Sequence, residues 1–230
     1  MVLCLRTEYA IPSLILHPAM RHEIQLEDFD VRLRPVRMDD AAFIVWLRNL
    51  DHVKGKVGDS AVDVAGQQAW FKTYFEREGD YYFVAETPGG IPLGTIGVYD
   101  VAGTGGEIGR YVVRPEVMAG VPVAVLGRDL AFGQLGLKEL RSTSVSTNLA
   151  VHSMDKKFGS KQVGILREAQ IIDGKPVDLV QLLLMAEDWF KSRNRLLPVA
   201  RLAGTQVLEW EKTQVGKHQP WEESDKQETV

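Results

Sequence analysis

Cysteine is almost missing from this 230-residue chain: Cys4 stands alone. No internal disulfide can form, and a reducing compartment, the cytoplasm, fits best. No apolar run reaches the length that spans a bilayer, and the N-terminal MVLCLRTEYAIPSLILHPAM is broken by Arg6, Glu8, Pro12 and Pro18, unlike a secretory leader. A membrane role is not expected. Dense runs of Lys and Arg are also lacking, and with a formal net charge of -4 the chain has no general electrostatic pull on nucleic acid. The five histidines (His17, His22, His52, His152, His218) are scattered, with neither HExxH nor paired CxxC, so no metal is expected. Neither GxGxxG nor GxxxxGK[ST] occurs, which removes the main support for dinucleotide and P-loop nucleotide binding, and the absence of GxSxG argues against an α/β-hydrolase.

What the chain does have is an ordinary globular composition, 45% hydrophobic and 25% charged, enough for one good-sized core. Residues 1–30 read as an N-terminal extension, with short apolar clusters between prolines and an acidic LEDFD at the end. From residue 31, VRLRPV alternates as a strand, and MDDAAFIVWLRNL follows with Asp39 or Asp40 as N-cap and Phe43, Leu47 and Leu50 at helical spacing. VDVAGQQAWFKTYFERE predicts a second helix; YYFVAET and IPLGTIGVYDV flank Pro88-Gly89-Gly90 as a hairpin. A strand EIGRYVV, the loop RPEVMAG and a helix with Val123, Leu126, Leu130 and Ala131 on one face come next, and Gly127 on that helix suggests close packing. Strand ELRSTSVST, helix NLAVHSMDKKF, strand VGILREAQII, a turn at Asp173-Gly174-Lys175-Pro176, strand VDLVQLLLM and a short helix AEDWFKSRN complete the order. The main domain spans 31–192. Residues 193–230 form a tail, expected to be mostly disordered past about 204, where the composition turns polar and charged.

The stretch from Glu107 to Phe132 carries the first chemical signal. A strand that ends at a small-residue loop and feeds a helix presents unpaired N–H groups at the positive end of a helix dipole, a setting that favours a pyrophosphate. Taken alone, such a stretch is more often plain architecture.

Its neighbours add the rest. The element order, EIGRYVVRP before the loop, the Ala131-Phe132 pair ending the central helix, NLAVHSMDKKFG and GILREAQIIDGKPVD together resemble the GNAT N-acetyltransferase superfamily over roughly residues 31 to 190. The chain is most similar to the subgroup of ribosomal-protein alanine N-acetyltransferases and of the N-acetyltransferases for nucleotide-linked 4-amino sugars of the pseudaminic acid pathway. Arg48-Asn49, Trp70-Phe71, Gly120 and Lys157-Phe158-Gly159 carry that likeness.

The resemblance implies an α/β (α+β) GNAT fold: a mixed, twisted sheet of about seven strands with helices on both faces and a V-shaped splay between the two middle parallel strands. It implies acetyl-CoA as cosubstrate and direct attack by a primary amine on the thioester. Strand backbone around Val112 and Val113 would pair with the pantetheine arm, the amides of Ala119, Gly120 and Val121 would hold the pyrophosphate, and Asn148 would touch the pantetheine. Glu107 matches the family carboxylate that takes the amine proton; the bland alternative is an exposed strand-start glutamate. Where many members carry a tyrosine that protonates the thiolate, this chain has Asp155, which could serve only with a strongly raised pKa; Tyr111 and His152 are weaker substitutes. The loop is also reduced, with Gly120 alone and Pro122 in the first helical turn, where a missing N–H is tolerated. Ser160 replaces the phenylalanine that normally follows the KFG element.

Trp46, Arg48, Asn49 and Trp70 are candidates to line the acceptor side, as a nucleotide-sugar calls for stacking and a cation. Core packing for the tryptophans and helix capping for Arg48-Asn49 are the alternatives. A small-molecule amine, with a nucleotide-linked amino sugar as leading substrate, is the expected partner, and a homodimer is compatible with the sequence. Two rival readings stay open: N-terminal acetylation of a protein, and a catalytically silent GNAT-fold binding protein.

Overall fold

The computed structural model describes residues 21–54, 56, 63–172 and 174–222. The expected disorder at 223–230, Cys4 and most of the N-terminal extension lie outside the described residues. Within them a single eight-stranded sheet has the order β1-β2-β3-β4-β5-β6-β8-β7. Its strands are β1 (Leu26–Asp28), β2 (Val31–Pro35), β3 (Tyr81–Glu86), β4 (Pro92–Ala102), β5 (Gly105–Val113), β6 (Glu139–Val145), β7 (Lys161–Ile172) and β8 (Lys175–Met185). Every neighbouring pair is antiparallel except β5 with β6. That parallel pairing involves only Gly105, Gly106 and Glu107, against Glu139, Leu140 and Arg141, after which the two strands part. The expected splay between the middle parallel strands is therefore present, in a sheet of eight strands rather than about seven.

Alternation along the strands divides the apolar residues between two cores. On one face Phe83, Ala85, Ile96 and Ile108 meet α3 (Gly120–Asp129) and α5 (Ala186–Lys212). On the other, Tyr82, Val84 and Val112 meet α1 (Ala41–Arg48) and α2 (Val64–Tyr74). Val123, Leu126, Leu130 and Ala131 are all buried, as their spacing predicts. Gly127 permits the close approach of α3 to the sheet: a Cβ there would lie 2.4 Å from Ile96 Cδ1. After Asp129 the helix widens into a π turn, Leu130–Gln134. α4 (Leu149–Phe158) ends at Gly159, whose φ of 102° gives the left-handed cap that glycine tolerates.

Two aspartates at helix starts behave differently. Asp63 caps α2 by accepting from Gly66 N at 2.7 Å. Asp40 precedes α1, but its carboxylate accepts both Nη groups of Arg34 at 2.8 Å and the amide of Arg37 at 2.7 Å, leaving no side-chain cap for the helix. The buried guanidinium of Arg34 recruits the carboxylate that sequence spacing had assigned to the helix end.

Both expected domain boundaries shift. Phe29 and Asp30 turn with φ of 55° and 54° between β1 and β2, and Phe29 is buried. Gly204 makes room for this turn, since a Cβ there would sit 2.2 Å from Phe29 O. The sheet thus begins at Leu26, inside the segment read as an extension. α5, expected as a short helix ending near Asn194, runs 27 residues to Lys212. Leu197, Ala200, Ala203, Gly204, Val207 and Trp210 recur at helical spacing and bury its face against the core, so average polarity past residue 204 concealed an amphipathic stripe. The polar end folds too, with Gln219 and Trp221 buried. No helix among the described residues is long and apolar enough to cross a membrane.

Candidate active site

The parting of β5 and β6 opens a cavity of about 260 Å³ whose wall includes Tyr99, Arg110 and Tyr111 on one side and Ser142, Thr143 and Asn148 on the other. β5 carries an extra residue here: Gly97 and Thr95 of β4 face Gly109 and Val112, so Arg110 bulges out, with φ of 50°. The bulge aims Arg110 at Asp80, to which Nη2 donates at 2.8 Å, and brings its guanidinium 4.5 Å from the Tyr99 ring and 5.2 Å from that of Trp70.

Glu107 lies at the last paired position before the splay, directly across from Tyr99 on β4. The Tyr99 phenol donates to Glu107 Oε1 at 3.1 Å. Tyr99 lines the cavity while Glu107 stands behind it. Burial raises the Glu107 carboxyl above its ordinary value, opposed by the Tyr99 hydrogen bond. Burial also pushes the phenol of Tyr99 up, and the nearby Glu107 charge acts in the same direction.

Asp155, the residue expected as general acid, also lines the cavity. It is buried, ion-paired to Arg128 from α3, and accepts from Ser142 Oγ at 3.2 Å. Its two carboxylate oxygens are thus both engaged, one by Arg128 and the other by Ser142. Tyr111, on the same wall, donates to Gly120 O at 2.9 Å, and burial raises its phenol. His152 Nε2 is 2.8 Å from Ser144 Oγ.

Of the six expected cofactor residues Asn148 alone, at the start of α4, lines this cavity, while Gly120 and Val121 line a separate one with Met118, Val199 and Leu202. Arg114 N bonds back to Leu93 O, so by alternation the backbone of Val112 faces β4 and that of Val113 faces the gap left by β6. A Cβ on Gly94 would touch Val112 O at 2.4 Å, consistent with that direction. Of the two strand residues, Val113 is thus the one turned to the gap. Ala119 is the N-cap of α3, and Gly120 and Val121 open its first turn ahead of Pro122. Their amides are the donors left without an intrahelical acceptor.

The four acceptor-side residues do not form one group. Arg48 lines the cavity. Trp70 approaches it through Arg110 and otherwise stacks on Tyr74, their rings 5.3 Å apart. Trp46 is turned away and packs on Trp221 at 5.0 Å, and Asn49 closes α1 by donating to Val45 O at 2.9 Å. Both border a separate shallow groove with Leu50 and Val64. Tyr99, Arg110 and Arg128 were not singled out from the sequence. Arg128 had a signal, a charge on the apolar stripe of α3, whereas Arg110 depends on a bulge that no spacing announces.

The acetyltransferase (GNAT) domain family matches residues 30–161. Among solved structures, FdhC, a nucleotide-linked sugar GNAT, superposes with a TM-score of 0.64 at 23% identity, covering 79% of this chain and 99% of that one. Spermidine N-acetyltransferase from Vibrio cholerae in complex with CoA and spermine gives 0.65 at 15% identity, covering 71% and 99%. At these identities the likeness shows a shared fold. Among curated proteins, nothing matches the sequence.

Proposed function

This chain belongs to the GNAT acetyltransferase family, and from that premise we propose that it transfers acetyl from acetyl-CoA to the primary amine of a nucleotide-linked amino sugar. The observation that carries the acceptor class is the charge of the cavity wall. Arg48, Lys56, Arg110 and Arg128 line it against one lining carboxylate, Asp155; Arg128 pairs with that carboxylate and Arg110 with Asp80, so the wall carries more cations than the carboxylates facing them. A polyamine needs carboxylates to receive it, while a diphosphate needs cations, and arginine offers them with directional donors. The spermine bound by the Vibrio cholerae enzyme is therefore the poorer guide here, and the nucleotide-linked sugar of FdhC the better one.

The donor side fits acetyl-CoA in two respects. The backbone of Val113 offers an unpaired strand edge to the pantetheine arm, Asn148 lines the cavity, and the amides of Ala119, Gly120 and Val121 offer donors to the pyrophosphate at the positive end of α3. Acetyl-CoA supplies the activated acyl group as a thioester. This chain supplies alignment and proton transfer.

Attack needs a neutral amine, because a protonated one has no lone pair. Glu107 accepts the amine proton through Tyr99: the phenol gives its proton to the carboxylate as it takes one from the nitrogen. The amine nitrogen bonds to the thioester carbonyl carbon, the carbon–sulfur bond breaks, and the CoA thiolate is left to be protonated. Tyr111, a phenol that burial keeps protonated, is our choice for that donor in place of Asp155. Arg48 binds the acceptor's phosphates, and Arg110, backed by Asp80 and Trp70, shapes the pocket around the sugar. Trp46 and Asn49 are left to packing and capping.

Incubating the purified protein with labelled acetyl-CoA and, in parallel, a nucleotide-linked 4-amino sugar, spermidine and an alanine-terminal peptide tests the reading. Label on the sugar alone supports it. Label on the peptide or the polyamine, with the sugar untouched, contradicts the acceptor; no acetyl-CoA binding by calorimetry contradicts the transferase itself.

A further inference from the structure

The end of the chain grips the point where β5 leaves the sheet for the cofactor loop. α5 runs along the α3 face of the sheet, and the segment after it crosses to the opposite face, where Trp221 is buried against Phe43 at 4.8 Å and Trp46 at 5.0 Å. Arg114, the first residue after β5, is caught between the two. Its guanidinium lies 4.6 Å from the Trp210 ring, 5.1 Å from Trp221 and 5.4 Å from Trp46. Nη1 donates to Gln219 Oε1 at 2.9 Å and to Pro92 O at 3.2 Å, and Nε donates to Glu116 Oε1 at 2.6 Å. Near the end of α5, Glu211 also accepts from Gly89 N at 2.8 Å and from the Thr87 hydroxyl, tying down the β3–β4 turn.

Besides this grip the loop is held by Val117 and Ala119, buried in the core, and by the Tyr111 hydroxyl on Gly120 O. Between Arg114 and Arg128 the sequence holds no Lys or Arg, and α3 begins without a side-chain cap. Glu116 and Met118 are exposed. A phosphate site made only of backbone amides depends wholly on where the backbone stands, and ordering it in advance removes a cost that binding would otherwise bear.

We propose that residues 213–222 form a C-terminal clamp which, through Arg114, holds loop 115–119 in register for the acetyl-CoA pyrophosphate. Gln219, Trp221 and Arg114 are positioning residues. The role of the clamp in binding rests on the assignment of the α3 amides to acetyl-CoA; its grip on the loop does not.

The full chain is compared with its Trp221→Ala, Trp221→Phe and Gln219→Ala variants. Hydrogen exchange in the ligand-free protein is expected to quicken about tenfold at the amides of 116–121 in Trp221→Ala. Acetyl-CoA affinity falls about fivefold with kcat at saturation retained, and Trp221→Phe restores most of both. Gln219→Ala moves the same readouts less and carries the test should Trp221→Ala lose its global fold. Unchanged exchange at 116–121 and unchanged affinity, with exchange at 219–222 accelerated, overturns the proposal. Should the wild-type chain bind no acetyl-CoA, the cofactor assignment fails, and the exchange result alone then decides whether the clamp holds the loop.

Discussion

Tyr99 and Glu107 face each other across the β4–β5 pair, with the phenol donating to the carboxylate at 3.1 Å. Gly109 makes this contact possible, since a Cβ there would stand 2.4 Å from the phenol oxygen. The cavity wall thus presents a proton-carrying hydroxyl whose acceptor lies behind it.

Glu107→Gln removes the acceptor. It is expected to lower kcat/KM by about 10²- to 10³-fold and to abolish the acid limb of its pH profile, because only the carboxylate form takes the proton. Unchanged turnover across neutral pH would leave Glu107 a structural residue.

Tyr99→Phe separates relay from packing. The ring and its contact with Arg110 remain, but Glu107 loses the hydrogen bond that holds its carboxyl down. The acid limb should therefore move to higher pH as kcat falls about tenfold or more. A profile displaced to lower pH, or none at all, contradicts the relay. Gly109→Ala should produce the same displacement by crowding the phenol out of place.

Asp155 and Tyr111 are told apart by what each variant loses. Asp155→Asn strands the buried Arg128 guanidinium, which should cost about 3–5 kcal/mol of stability by denaturant titration. Tyr111→Phe should lower kcat about tenfold with a far smaller loss of stability. The reverse pattern, a stable Asp155→Asn protein with no turnover and an active Tyr111→Phe protein, would restore Asp155 as the acid.

His22 predicts how stability responds to acid. Packed against Tyr81 and Phe83, it is lowered by burial from its ordinary 6.5 to about 4, with the neighbouring Arg21 lowering it further and the Tyr82 backbone and Asp80 opposing. Between those values the unfolded chain binds the proton and the folded chain does not. The contribution is complete above pH 6.5 and is lost as pH falls toward 4. After discounting for partial exposure, the loss is about 2 kcal/mol. His22→Phe should flatten the urea-midpoint profile over that interval, and a variant as acid-sensitive as the wild type contradicts this origin.

Much of the fold was legible because it is local. The Pro88-Gly89-Gly90 hairpin, the buried stripe of α3 and the close packing at Gly127 all follow from short-range pattern, and each is found. The end of the chain was not, because Trp221 is buried by Phe43, about 180 residues earlier, and composition averaged over a polar segment cannot register one such contact. The site divides along the same line. Asn148 and Arg48 come to one opening with Glu107 behind its Tyr99 wall, while Arg110 reaches it only through a left-handed bulge, and Asp155 acquires its partner from a helix 27 residues away. Trp46 and Trp70 pack against one core but on different rings, Trp221 and Tyr74.

The charge of the cavity wall carries the central claim, and product analysis by mass spectrometry tests it most directly. With acetyl-CoA and a nucleotide-linked 4-amino sugar, the wild-type chain should give the sugar nucleotide heavier by one acetyl group, and Arg48→Ala should raise KM for that acceptor. An unmodified sugar nucleotide alongside acetylated spermidine would contradict the account.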